Sequence, residues 1–196
     1  MKKSLIVLLV IVLIVIIAYS SVKGTYNKMV AMDEGVSAQW SNVENVYQRR
    51  SDLIPNLVNT VKGYATHERE TLEGVIEARA KATQVTVDPS KLDAASIQNF
   101  QNAQSGLTSA LSRLMVVMEQ YPDLKANQNF RDLQAQLEGT ENRIAVERRK
   151  FNETAQVFNT YIRKFPQNIL AGMFNFEKKT YFEAEKGSEK APTVNF

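Results

Sequence analysis

The sequence predicts an all-α protein: an N-terminal transmembrane helix, then an elongated antiparallel four-helix bundle and an apolar C-terminal tail. Three observations predict it. Leu5 to Ala18 is an unbroken apolar run. Only 8 Gly and 5 Pro fall in 196 residues, and these are the residues that interrupt helices. Elsewhere apolar side chains recur in steps of three and four, and no segment alternates as a half-buried strand would.

Residues 1–3 are a short polar start, and residues 4–22 are the span. Its apolar body is Leu5, Ile6, Val7, Leu8, Leu9, Val10, Ile11, Val12, Leu13, Ile14, Val15, Ile16, Ile17 and Ala18. The uncharged stretch from Ser4 to Val22 is 19 residues long, inside the roughly 17–25 that a bilayer-crossing helix needs. A cleaved signal peptide is the competing reading, with Ala18-Tyr19-Ser20 as a small-x-small site. The anchor is favoured because the run is long for a signal peptide and no helix breaker precedes that site. Lys2 and Lys3 before the span, against Lys23 and Lys28 after it, lean toward an extracytoplasmic bundle.

Residues 23–165 make the bundle, with helices expected at about 26–50, 53–85, 93–121 and 127–165. The first seam is Tyr26, Met29, Val36, Trp40, Val43 and Tyr47, with Asp33 in the remaining place. Arg49 to Asp52 reads as a polar turn, with Asp52 as N-cap and Pro55 in the first turn of the second helix. That helix uses Ile54, Leu57, Val58, Val61, Tyr64, Leu72, Val75 and Ile76, and fades near Pro89. The third uses Ile97, Phe100, Gln104, Leu107, Leu111, Leu114, Met118 and Tyr121, stopped by Pro122. The fourth runs from Phe130 to Phe165 and closes at Pro166. Seams averaging 3.5 residues are those of coiled-coil packing. Four alternating rods would put the 49–57 and 121–127 turns together at the far end and return the irregular tail, 166–196, to the bilayer.

Several long words in this chain resemble the LemA family. They are Arg49-Arg50-Ser51-Asp52-Leu53-Ile54-Pro55-Asn56-Leu57-Val58 with Val61-Lys62-Gly63-Tyr64, Glu119 to Asn127 with Phe130, Thr140 to Ala145, Phe165-Pro166-Gln167-Asn168, and Tyr181-Phe182-Glu183. The resemblance implies a membrane-associated bacterial protein, with a transmembrane helix ahead of an antiparallel helical domain. It implies no activity and no catalytic residues. It also implies an N-terminus outside the cell, opposite to the lysine lean.

The composition excludes several chemistries. No Cys is present, so there is no disulfide scaffold, thiolate metal site or cysteine nucleophile. Without Lys2 and Lys3, 22 of the 24 basic residues stand against 21 acidic ones, no excess for nucleic acid. A di-iron carboxylate site needs two Glu-x-x-His pairs, and His67 is the one histidine. No hydrolase elbow or phosphate loop appears. No cofactor and no metal are expected, and the chain reads as no enzyme.

Two surfaces remain as candidates. Arg49, Arg50, Asp52 and Asn56, beside Tyr121, Asp123, Lys125 and Asn127, form a candidate distal interaction patch, whose plainer reading is capping and turn formation. Arg148 abuts the fourth seam and is placed to pair with Asp33, Glu68 or Glu119. In the tail, Ile169, Leu170, Met173, Phe174 and Phe176, followed by Tyr181, Phe182, Val194 and Phe196, need cover. The cover is the bundle itself, the membrane interface or a neighbouring subunit. The expected function is a membrane-anchored structural or interaction protein of the envelope, with the lipid bilayer, a second copy and an unidentified envelope protein as partners. A sensor ectodomain acting through a partner and a secreted helical factor are the alternatives.

Overall fold

Residues Lys2–Lys62 form a single α-helix, α1, of 61 residues, about 90 Å long at 1.5 Å per residue. In this computed structural model, which describes residues 2–65, 67–89 and 91–183, it is followed by α2 (Arg69–Gln84), α3 (Ala94–Met118), α4 (Pro122–Ala126), α5 (Gln128–Arg163) and α6 (Gln167–Met173). The described residues include no strand. Val194 and Phe196 lie outside them.

The turn expected at 49–52 does not exist. Asp52 caps nothing there; its carboxylate accepts from Gln48 Nε2 at 2.7 Å along one helix face. Pro55 lies inside α1, where its missing N–H leaves the Ser51 carbonyl without its normal donor. Arg79 of α2 supplies the replacement, Nε donating to that carbonyl at 2.8 Å. The helices expected over 26–50 and 53–85 are therefore α1 through Lys62 and a shorter α2. The chain reverses at 63–68, where the Tyr64 and Ala65 amides both donate to the Val61 carbonyl at 2.9 Å.

This repair is testable. Arg79→Leu is expected to cost about 1.5–3 kcal/mol, since it orphans a carbonyl bonded to a charged donor. In a Pro55→Ala background, where an N–H returns, the same change should cost less than about 1 kcal/mol. Denaturant unfolding of the four variants measures the coupling, and equal costs in both backgrounds would refute it.

The seams set the packing. On α1, Met29, Val36, Val43 and Leu57 fall on one seven-residue row, and Trp40, Tyr47, Ile54 and Val61 on the other; all are buried. On α5, Phe130, Leu137, Ile144, Phe151 and Phe158 are buried at intervals of seven. Rows of this period keep facing each other in left-handed packing. The two helices run antiparallel, with Gln39 Nε2 donating to Glu147 at 2.7 Å and the Lys28 ammonium 4.8 Å from the Tyr161 ring centre. Instead of four alternating rods, α5 pairs along α1, while α2 and α3 pair beside the distal half of α1. Asp93 caps α3 through the Ser96 amide at 2.8 Å, and Asn127 caps α5 through Phe130 at 3.1 Å.

Nor is the start of the tail irregular. α6 ends with Asn175 at φ 57°, a left-handed conformation that Asn tolerates, and the Phe176 amide donates back to Ala171 at 2.9 Å. The chain then runs back along α5. The tail completes an aromatic core around Trp40, Phe100, Phe151, Phe158 and Phe182. A second, mainly aliphatic core fills the distal half around Ile54, Leu57, Leu107, Leu114 and Leu124.

Candidate functional site

Because α1 does not break at 49–52, the expected distal patch falls into two parts. Arg49, Asp52 and Asn56 lie exposed on the side of α1, beginning about 20 Å below its distal end, thirteen residues from Lys62 at 1.5 Å each. Arg50 is not at the surface at all. It is 2% exposed, occupies the seven-residue row between Val43 and Leu57, and separates the two cores. Its guanidinium donates to Glu141 Oε2 at 2.8 Å, Gln104 Oε1 at 2.7 Å and Thr108 Oγ1 at 3.0 Å. Only Tyr121, Asp123, Lys125 and Asn127 reach the tip. There the Tyr121 hydroxyl donates to Glu68 at 2.7 Å and Asn127 Nδ2 to the Tyr64 hydroxyl at 2.8 Å, while Lys125 pairs with Glu119. The hydrogen bond to the Glu68 carboxylate holds the Tyr121 phenol above its ordinary range.

Around Arg50 opens a polar cleft of about 530 Å³ between α1, α3, α5 and Glu183, lined by Tyr47, Gln101, Gln104, Thr108 and Arg148 among others. Burial pushes the Tyr47 phenol up, and the Arg148 charge pulls it back. Arg148 does not make the expected carboxylate pair. Its guanidinium donates to the Glu183 carbonyl at 2.8 Å and lies 5.0 Å from the Phe182 ring centre. Asp33 pairs instead with Lys179 at 2.7 Å.

Two asparagines of α5 hold the returning tail as a neighbouring strand would. Asn159 Nδ2 donates to the Lys179 carbonyl and its Oδ1 accepts from the Lys179 amide, both at 2.8 Å. Asn152 does the same for Phe182, at 2.9 and 2.8 Å. Two turns of α5 rise about 10.5 Å, and three extended residues span about 10 Å, so the clamps and their targets are in register. Asn159→Ala leaves a buried amide and carbonyl unpaired, with an expected cost of about 1–3 kcal/mol. Limited proteolysis should then cut residues 176–183 sooner than in the parent chain; unchanged cleavage would contradict the clamp.

At the opposite end of α1, Leu5 to Ile17 are each 47–60% exposed, and no other described residue packs on them. Of the tail residues singled out, Leu170 and Phe176 pack against the aromatic core. Ile169, Met173 and Phe174 stay exposed.

The family model described as LemA family matches residues 39–196, from just before Trp40 through the Arg50 layer, the tip and the tail clamp. The chain belongs to the LemA family. Relatives include the magnetosome proteins MamQ 1 and MamQ 2 of Paramagnetospirillum magneticum, each 30% identical over 86% of this chain and 68% of its own length. Protein LemA of Metamycoplasma hominis is 25% identical over 83% of this chain and 71% of its own length.

Within this LemA-family chain, α1 is long and apolar enough at its start to cross a membrane, which with these relatives fits a membrane-associated protein. Among the described residues, no three His, Asp or Glu side chains gather as a metal ion requires. The Arg50–Gln104–Glu141 layer joins α1, α3 and α5 at one level through side-chain hydrogen bonds. Reading residues 49–52 as a turn concealed it. The signal was the row 29, 36, 43, 50, 57, which runs through Arg50 without a gap.

Proposed function

We propose that this protein is a membrane-anchored, non-enzymatic structural or interaction module of the bacterial cell envelope. It stands as a rod on the inner membrane, extracytoplasmic by the lysine count, and associates with further copies of itself. One observation carries the reading. The helix that exposes an apolar side chain at every position from Leu5 to Ile17 is the same helix that buries Met29, Val36, Trp40 and Val43 in the core. Exposing that run to water is costly, at about 0.8 kcal/mol per CH₂ left unburied, so lipid is its natural solvent. Helical continuity then fixes the rod to whatever holds the span. A shallow apolar groove between α1 and α5, lined by Met32, Gly35 and Val157 among others, supports lateral contacts.

Fractionation and native mass spectrometry test the two halves separately. The intact chain is expected to stay with membranes through alkaline washing and to give oligomers in mild detergent. Free solubility without detergent would remove the anchor, and a monomer at every concentration would remove self-association.

A further inference from the structure

We propose that α6 and the neck of α1 form a second membrane contact, a shallow seat on an anionic bilayer surface beside the transmembrane helix; this rests on the anchor reading above. Height is the first argument. The uncharged span ends at Val22, and α1 continues without a break, so Tyr26 stands about 6 Å further along the axis, four residues at 1.5 Å each. The headgroup region adds about 5–7 Å beyond the hydrocarbon on each side, half the difference between roughly 40–45 Å and 30 Å. Tyr26 therefore stands at headgroup depth. Its ring meets Phe174 edge-on at 4.8 Å and Phe176 at 5.9 Å, which pins the end of α6 to the same level.

The second argument is what α6 shows there. Ala171 turns inward at 5% exposed, while Ile169 and Met173, four residues apart and so on one face, are 56% and 69% exposed. Phe165, just ahead of α6, is 80% exposed. An apolar face of this kind, on a short helix lying beside a span, matches the way interfacial helices sit in the headgroup layer. Charge is the third. Residues 22–32 carry Lys23 and Lys28 and no acid, and residues 163–178 carry Arg163, Lys164 and Lys178 against Glu177 alone. Lys28 lies over the Tyr161 ring, at the same end of the rod, whereas Lys179 pairs with Asp33, so Glu177 and Lys178 belong to the level above and offset each other. The four remaining cations, Lys23, Lys28, Arg163 and Lys164, around an apolar face select an anionic lipid surface. The face is also continuous with the bilayer contact that α1 already makes, which favours lipid over a second copy as its cover.

The chain has no Cys, so single-cysteine variants report position cleanly. Ile169→Cys and Met173→Cys would be labelled with an environment-sensitive fluorophore and reconstituted, as the full chain, into phosphatidylglycerol–phosphatidylcholine vesicles or phosphatidylcholine alone. Val116→Cys, 70% exposed near the distal end, and Ile14→Cys in the span are the references. Headgroup and shallow spin-labelled lipids are expected to quench the 169 and 173 labels several-fold more than the 116 label, and more strongly in the anionic vesicles. Deep spin labels should quench the 14 label. Labels at 169 and 173 no more quenched than at 116, with 14 still quenched, would overturn the seat and leave the anchor standing. An unquenched label at 14 would defeat the anchor itself. Shielding of 173 that grows with protein-to-lipid ratio, without lipid quenching, would assign the face to a second copy and overturn the proposal. Equal quenching in the two vesicle types would overturn the anionic assignment.

Discussion

Replacing Trp40 with Ala is expected to lower stability by about 3–5 kcal/mol, about 6–20 °C in melting temperature for a chain of this size. Trp40 is fully buried and joins four parts of the chain. Its ring lies edge-on to Phe100 of α3 at 5.3 Å and to Phe151 of α5 at 5.5 Å. It stacks on Phe182 of the tail at 5.6 Å with 9° between planes. No neighbour can collapse into the space without abandoning another of these contacts, so the cavity term adds to the lost transfer energy. Helical circular dichroism on the detergent-solubilised full chain, followed through heating, measures the loss. A drop below about 1 kcal/mol would show that the site refills, and that the core is not held at Trp40. The tail should respond with it: Phe182 loses its stacking partner, so proteolysis within 176–183 should accelerate in this variant as well.

The buried rows that α1 and α5 present were legible because period is a local property of sequence. Trp40 and Val43 of the first seam and Phe130 of the fourth are buried, as the spacing requires. What was not legible depends on residues far apart in the chain. Pro55 marks a helix start by the local rule, and the side chain that lets it sit inside a longer helix, Arg79, belongs to another helix. With that break assumed, Arg50 read as part of a solvated turn, although its place in the row is as regular as that of Val43. The extended tail offers no period, and the groups that hold it are Asn152 and Asn159 of α5, whose amides look like ordinary surface residues in a polar helix face. Their partners are the backbone of Lys179 and Phe182, and backbone partners leave no mark on composition. The apolar run at the start was legible for the opposite reason: it makes its case by length alone.

The Arg50 layer should respond asymmetrically to removal of its two charges. Glu141→Leu is expected to cost about 3 kcal/mol, the low end for breaking a buried pair, because the guanidinium left behind is 2% exposed and keeps only neutral partners in Gln104 and Thr108. Arg50→Met is expected to cost less, about 1–2 kcal/mol: it replaces a buried charge with an apolar chain of similar length, and the buried group it leaves without a donor is the neutral Gln104 Oε1. The carboxylate it abandons has a side chain 52% exposed and rehydrates. The double variant should cost no more than Arg50→Met alone and remain more stable than Glu141→Leu. Urea unfolding of the three variants decides the matter, and equal costs for the two single changes would mean that water already solvates Arg50 through the cleft. Should the asymmetry hold, Arg50 stabilises little, and its place in an otherwise apolar row calls for another reason. A lone polar residue in such a row penalises every register but one. Sliding α1 by one heptad against α5 would move Arg50 away from Glu141 and set it against the apolar rows, so the residue fixes the height at which α5 and α6 stand along α1.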